Sequence, residues 1–276
     1  MTTKMMGQEG TVFFVGVVED ILDPKNLGRV KVRCHSIHNM NKAKLPTDDL
    51  PWASVLMPAT SASLTAIGRS PTGLLVGSTV VGFFMDGKEA QIPMVLGSLH
   101  GIPNEHDVSL LARATNDIDK QQVGPEPASA FAAQYPDNHT WTTKGGHKFE
   151  VDDTPNAERI HIYHKSGTYV EINNEGRVVT KVMNDNIEVV MKDKWVHVEG
   201  NGDVRIRGNL NVHIEGNATV TVDGNTDVQV GGNATVNVDG TTSVHSGGAM
   251  SIRGDSTIDV VASSTLTLKG STIKLN

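Results

Sequence analysis

Apolar residues in the last third of the chain recur every eight positions. Val196, Val204, Val212, Val220, Val228, Val236 and Val244 are evenly spaced, and two residues after the first six stand Val198, Ile206, Ile214, Val222, Val230 and Val238. Four residues after each leading valine comes a glycine: Gly200, Gly208, Gly216, Gly224, Gly232, Gly240 and Gly248. The unit reads V-x-V-x-G-N-x-x. In a strand of period two its first and third positions share a face. Positions two and four hold His197, Glu199, Arg205, Arg207, His213, Glu215 and Asp223 on the other face. Each octad therefore predicts one short strand with a dry and a wet side. The glycine, usually followed by Asn201, Asn209, Asn217, Asn225 or Asn233, is expected to turn the corner through a positive φ. After Ile252 the pattern predicts a six-residue step to Ile258, from which Ile258/Val260, Leu266/Leu268 and Gly270 carry the register to Asn276.

Upstream, residues 141–195 show no helical period. Residues 141–195 contain the runs HKFEV, RIHIY, TYVEI, RVVTKV and IEVVM, divided by TPNAE, KSG, NNEG and ND, and predict a meander leading into the octads. Residues 104–140, with GPEPASAFAAQYPDN, sustain no period and read as a linker or arm, too short for an enzyme domain. Residues 1–103 carry TVFFVGVV, GRVKVRC, WASVLM, TVVGFFM and QIPMVLGSL. DPKNLG, Asp23 to Gly28, makes their first connection, and an Asp86-Gly87 turn is expected to join the last two as a hairpin. Five strands in such a length predict a small Greek-key barrel of the OB type.

Eight residues extend at most about 26 Å, so three octads make one turn around a three-sided prism. A single chain could stack on itself as a solenoid, or three chains could intertwine; the geometry permits both. The lone solenoid would complete barely three turns and leave two sheet edges uncapped, with no capping segment after Asn276. The trimer is favoured. Residues 196–276 would then form a prism about 50 Å long, with the paired valines and isoleucines above as the trimer core and the glycines as octad corners. The predicted fold class is all-β: an OB barrel, a meander and an intertwined triple-stranded β-helix in a homotrimer.

Composition agrees with thin β architecture. Aromatics are 4% of the 276 residues and glycines number 28. The net charge of −7 disfavours nucleic acid and anionic membranes as partners. The single cysteine, Cys34, can form neither an intrachain disulfide nor a thiolate cluster. MTTKMMGQEG lacks the apolar stretch of a signal peptide and no run is long enough to span a bilayer, so synthesis as a soluble cytoplasmic product is expected.

DPKNLGRVKV, LPWASVLMP and VGSTVVGFFMDGKEAQIPMVLGSL, followed by KGGHKFEVDDTPNAERIHIYHKSGTYVEI and the octads, resemble in order and spacing the central spike family of contractile phage tail baseplates and the spike part of VgrG proteins. The likeness covers about 240 residues. It implies a homotrimer in the virion baseplate, docked to a tail hub protein by its OB domain and driven through the host outer membrane when the sheath contracts. It also implies a PAAR-type cap on the tip at Ile273, Lys274, Leu275 and Asn276. Some relatives place a lysozyme domain where this chain has only residues 104–140, so muralytic activity is not carried over. VgrG proteins place a hub-like domain before the barrel, and a chain starting at the barrel favours the phage spike.

Candidate chemistry reads as structural. His161/His164 and His35/His38 are three apart, on opposite strand faces, and no H-x-H pair offers an axial metal site near the tip, where His245 faces solvent. Asp152 and Asp153 in EVDDTPN read as a capped turn. No G-x-S-x-G, H-E-x-x-H or P-loop string occurs. Phe13, Phe14, Phe83 and Phe84 read as core, and Lys25 with Arg29 is too sparse a basic set to guide single strands. A non-enzymatic spike without cofactor or bound metal is the expectation. A β-helical glycan-degrading enzyme and a type VI secretion spike are the alternatives.

Overall fold

The computed structural model describes residues 10–65, 67–100 and 128–274. It divides into two units, Met1–Lys194 and Trp195–Asn276.

The first unit holds two sheets. Strands β1 (Val12–Asp20), β2 (Val30–Cys34), β3 (Trp52–Val55), β4 (Thr79–Phe84) and β5 (Pro93–Leu99) close a barrel in the order β1-β2-β3-β5-β4, with β4 returning to pair with β1. Only the β3–β5 pairing is parallel, which gives the five-stranded OB arrangement expected from the sequence. Alternate residues fill the barrel: Phe14 and Val18, Val30, Val32 and Cys34, Ala53, Val80 and Phe84, and Val95. The Phe14 and Phe84 rings meet at 5.1 Å. Gly82 leaves room for this contact, since a Cβ there would run into the Phe14 ring and the Met94 carbonyl. Phe13 departs from the expected core. One residue from Phe14, it falls on the outer face of β1 and is 66% exposed.

Asp23 organises the first connection. Its carboxylate accepts from the backbone N–H groups of Lys25, Leu27 and Arg29 and from the Arg29 guanidinium. The Arg29 hydrogen bonds, helped by these amides, hold Asp23 well below the usual carboxylate range. The β4–β5 connection is wider than the expected two-residue turn. It contains a 3-10 turn at Gly87–Glu89 and a left-handed Ala90, φ 54°. The Asp86 carboxylate accepts from the N–H groups of Gln91 and Ile92, so it ties a broad loop instead of a tight hairpin.

The second sheet runs β6 (Asn138–Thr142), β7 (Lys148–Asp152), β8 (Arg159–Tyr163), β9 (Tyr169–Ile172) and β10 (Val178–Lys181), each antiparallel to the next. β6 starts inside the stretch read as a linker, whose residues 104–127 lie outside the described set. IEVVM forms no strand. Its first four residues lie in the leg between bends at 183–184 and 191–192, and Met191 opens the second bend.

In the second unit the backbone bends at 199–200, 207–208 and every eight residues thereafter to 263–264. The legs between bends are six residues long. The expected six-residue step after Ile252 does not occur, because bends at 255–256 and 263–264 keep the beat. The sequence changes what fills each leg instead. Each leg presents three residues of like parity. In early legs the last of the three is large and the first is commonly small, as in Ala218-Val220-Val222 and Ala234-Val236-Val238. In late legs the sizes exchange, as in Met250-Ile252-Gly254 and Ile258-Val260-Ala262. The exchange is complementary across a corner, since a Cβ on Gly254 would lie 2.9 Å from Ile258 Cγ1.

Candidate interaction surface

The strands of the second sheet alternate charged and apolar residues. KFEVD, RIHIY and YVEI align so that Glu150 faces His161, His161 faces Glu171, and Asp152 faces Arg159. All the charged residues fall on one side of the sheet, and that side is the buried one.

Glu150 is its hub. The carboxylate is fully buried and lies 2.7 Å from both Lys148 Nζ and Arg159 Nη2, with His161 Nδ1 at 3.6 Å; Asn138 Nδ2 donates to it at 2.8 Å. Arg159 Nη1 reaches Glu171 Oε2 at 2.9 Å. Burial pushes Glu150 up, but contact with His161 and Lys148 and the charges of Arg159 and Lys148 outweigh it and hold the group at about 2. Residues 128–134 cover this face. Ser129 Oγ donates to Glu171 Oε2 at 2.7 Å, the Gln134 N–H donates to Thr154 Oγ1, and the Phe131 ring sits 4.7 Å from the Arg159 guanidinium carbon. Asp152 accepts from the Thr154 N–H and hydroxyl, the capped turn read from EVDDTPN.

The opposite side carries Trp141, Phe149, Ile160, Ile162 and Val170, all exposed. Trp141, Phe149, Ile162 and Tyr169 line a groove of about 630 Å³. A single chain thus shelters charges and presents hydrocarbon to water, and contiguous patches of this kind mark contact surfaces.

The octads repeat the theme. The valines and isoleucines read as trimer core are all exposed in one chain, unequally: Val198, Ile206, Ile214, Val222, Val230 and Val238 at 46–56%, against 69–89% for Val196, Val204, Val212, Val220, Val228 and Val236. From Met250 to Leu268 the better-covered side chains are Met250, Ile258 and Leu266, at 51–55%. Each corner glycine from Gly200 to Gly248 is the second residue of a bend. The expected positive φ is absent from all seven, and an added Cβ would meet nothing within 4 Å. Neither backbone strain nor crowding inside one chain accounts for glycine there. Of the residues read as tip docking, Ile273 and Lys274 are exposed, while Leu275 and Asn276 lie outside the described residues.

His38 Nδ1 accepts from the Cys34 N–H at 3.0 Å, His161 is buried against Glu150, and His164 is exposed beside Ser166. Burial pushes the Cys34 thiol up to about 12. In the barrel, Arg33 pairs with Glu19 at 2.9 Å. Hydrogen bonds from Arg33 and, against the cost of burial, Thr47 hold Glu19 at about 2.

The charged hub escapes a reading of isolated motifs. Its signal lies in the matched parity of KFEVD, RIHIY and YVEI, which puts charges opposite charges on three neighbouring strands.

Comparison with known proteins bears out the resemblance. Protein Gp5 of Vibrio phage KVP40 is 31% identical over 277 residues, an alignment covering 74% of this chain and 65% of that protein. The pre-baseplate central spike protein Gp5 of Enterobacteria phage T4 is 46% identical over 98 residues, covering 34% of this chain and 17% of that protein. The chain therefore matches less than two thirds of the length of either relative. The family described as the Gp5 N-terminal OB domain matches residues 34–188, from the end of β2 through the whole second sheet. With more than half its length so matched, and a closed five-stranded barrel at its N-terminal side, the chain belongs to the Gp5 N-terminal OB domain family.

Proposed function

We propose that this protein is the structural central spike of a contractile phage tail baseplate, acting as a homotrimer whose octads intertwine into a rigid needle. The observation that carries the reading is the inverted second sheet, with charges inside and Phe149, Ile160, Ile162 and Val170 outside. Three copies packing these faces together would remove the apolar surface from water. The same assembly gives the bare octad valines partners and gives the corner glycines a reason, namely close approach of a neighbouring chain. A relative named as a pre-baseplate central spike protein supports the location in the virion tail.

In this reading the barrel docks to the tail hub, and the octads point toward the host and cross its outer membrane on contraction. A PAAR-type protein caps Ile273 to Asn276. The work is mechanical and no bond in a substrate is broken. Light scattering on the purified full chain tests the assembly: about 88 kDa, three times 29.5 kDa, is expected, and about 30 kDa would overturn it. Cleavage of peptidoglycan or capsular glycan by the same sample would overturn the non-enzymatic part.

A further inference from the structure

We infer that the needle is locked in register by a three-storey charge ladder between chains, with Arg207 of each chain held between Glu199 of one neighbour and Glu215 of the other. The inference rests on the intertwined trimer proposed above and adds to it the contacts that select the register.

The bends keep a constant beat of eight residues. Advancing eight residues along one chain moves to the next face of a three-sided prism and up by one strand. Passing to the neighbouring chain by three-fold symmetry returns to the original face. The combined operation is a pure shift along the axis by one strand spacing, about 4.8 Å. Equivalent octad positions from different chains therefore stack in columns, and each residue has above and below it the residues eight later and eight earlier in the other two chains.

Glu199, Arg207 and Glu215 are consecutive members of one such column, each the first residue of a bend at 199–200, 207–208 and 215–216. All three have the parity opposite to the apolar residues of their legs and are exposed in a single chain. Among the described residues Glu199 has one distant ion-pair contact, His197 Nε2 at 3.9 Å, with both side chains nearly fully exposed. No ion pair within the chain involves Arg207 among the described residues. Stacking places its guanidinium between two carboxylates about one strand spacing away on each side, within reach of an arginine.

Valine columns alone do not choose a register, because Val204, Val212 and Val220 are interchangeable under an eight-residue slip. The charges are not interchangeable. A slip of one octad in one chain would set Glu199 beside Glu199 and Arg207 beside Arg207 of a neighbouring chain, whereas the proposed register carries a single like-charge step in this run, Glu215 beside Asp223. Opposite charges directly across strands stabilise and like charges destabilise. Three-fold symmetry makes three such ladders.

The test uses the full chain and three proteins: wild type, Arg207→Glu, and the exchanged ladder Glu199→Arg/Arg207→Glu/Glu215→Arg. Mass and thermal dissociation are measured in about 0.01 M and about 1 M salt, where the screening length falls from about 30 Å to about 3 Å. Arg207→Glu is expected to lose the trimer or to dissociate at least about 5 °C lower in low salt, with a smaller loss in high salt. The exchanged ladder is expected to regain the wild-type mass and dissociation temperature. A trimeric wild type with Arg207→Glu unchanged in low salt, or an exchanged ladder no better than Arg207→Glu, would overturn the ladder and leave the trimer standing. A monomeric wild type would overturn both.

Discussion

The barrel and the octads use the same residue types to opposite ends. In the barrel, Phe14, Val18, Val32, Val80, Phe84 and Val95 point into a space closed by their own chain and are almost completely removed from water. In the octads, Val204, Val220 and Val236 alternate as regularly but remain more than four-fifths exposed. Period two makes a sheet two-faced in either case. Closure decides whether the dry face finds its partner at home. Five strands returning β4 to β1 close on themselves, whereas six-residue legs separated by corners do not. The second sheet is intermediate, since residues 128–134 cover its charged face and its apolar face is exposed among the described residues.

The strongest way to break this comparison is to charge the octads. Val220→Asp, which in the proposed trimer would bring three carboxylates toward one axis, is expected to abolish assembly while leaving a protease-resistant barrel. Light scattering and limited proteolysis read both outcomes, and a heat-resistant trimer from this variant would show that Val220 does not face inward. Next in size is the barrel itself. Phe84→Ala should cost about 3–5 kcal/mol of barrel stability in denaturant titration, without changing the mass of the assembled protein.

Glu150→Ala probes the intermediate region. It takes one buried carboxylate away from Lys148 and Arg159, a change that costs about 3–5 kcal/mol when one partner of a buried pair is removed, and unfolding of the second sheet should shift accordingly. A smaller effect is expected from acid. Glu150 in the folded chain stands at about 2 against an ordinary 4.5. A depressed carboxylate contributes stability that is complete above the unfolded value and is lost as pH falls through the folded one. Stability of the second sheet should therefore decline between about 4.5 and about 2, and the decline should be much reduced in Glu150→Gln. The smallest effect belongs to Phe13→Ser, on the outer face of β1, expected to change barrel stability by less than about 0.5 kcal/mol.

Much of this was legible in the amino-acid order. Alternating runs gave the barrel strands, and four of the five strands in the second sheet match the runs HKFEV, RIHIY, TYVEI and RVVTKV. β6 was hidden because NHTWT carries a single large apolar residue and follows a proline-rich stretch. IEVVM misled for the opposite reason, as its β-branched run sits in a leg that pairs with no strand among the described residues. The wide β4–β5 loop depended on where the Asp86 carboxylate found donors, which no dipeptide rule records. The corner glycines taught most. Glycine suggested a left-handed turn, yet the backbone there is ordinary, and only coordinates could separate a conformational reason from a spatial one.

The bends hold their spacing at Asp255-Ser256 and Ser263-Ser264, where no glycine is present. Corner position is thus counted out by the backbone and does not depend on one residue type. A gene encoding such a segment can gain or lose a block of twenty-four bases without disturbing the legs on either side. Length becomes a quantity adjustable in uniform increments, and closely related chains would be expected to differ by whole blocks of this size and seldom by fractions of one.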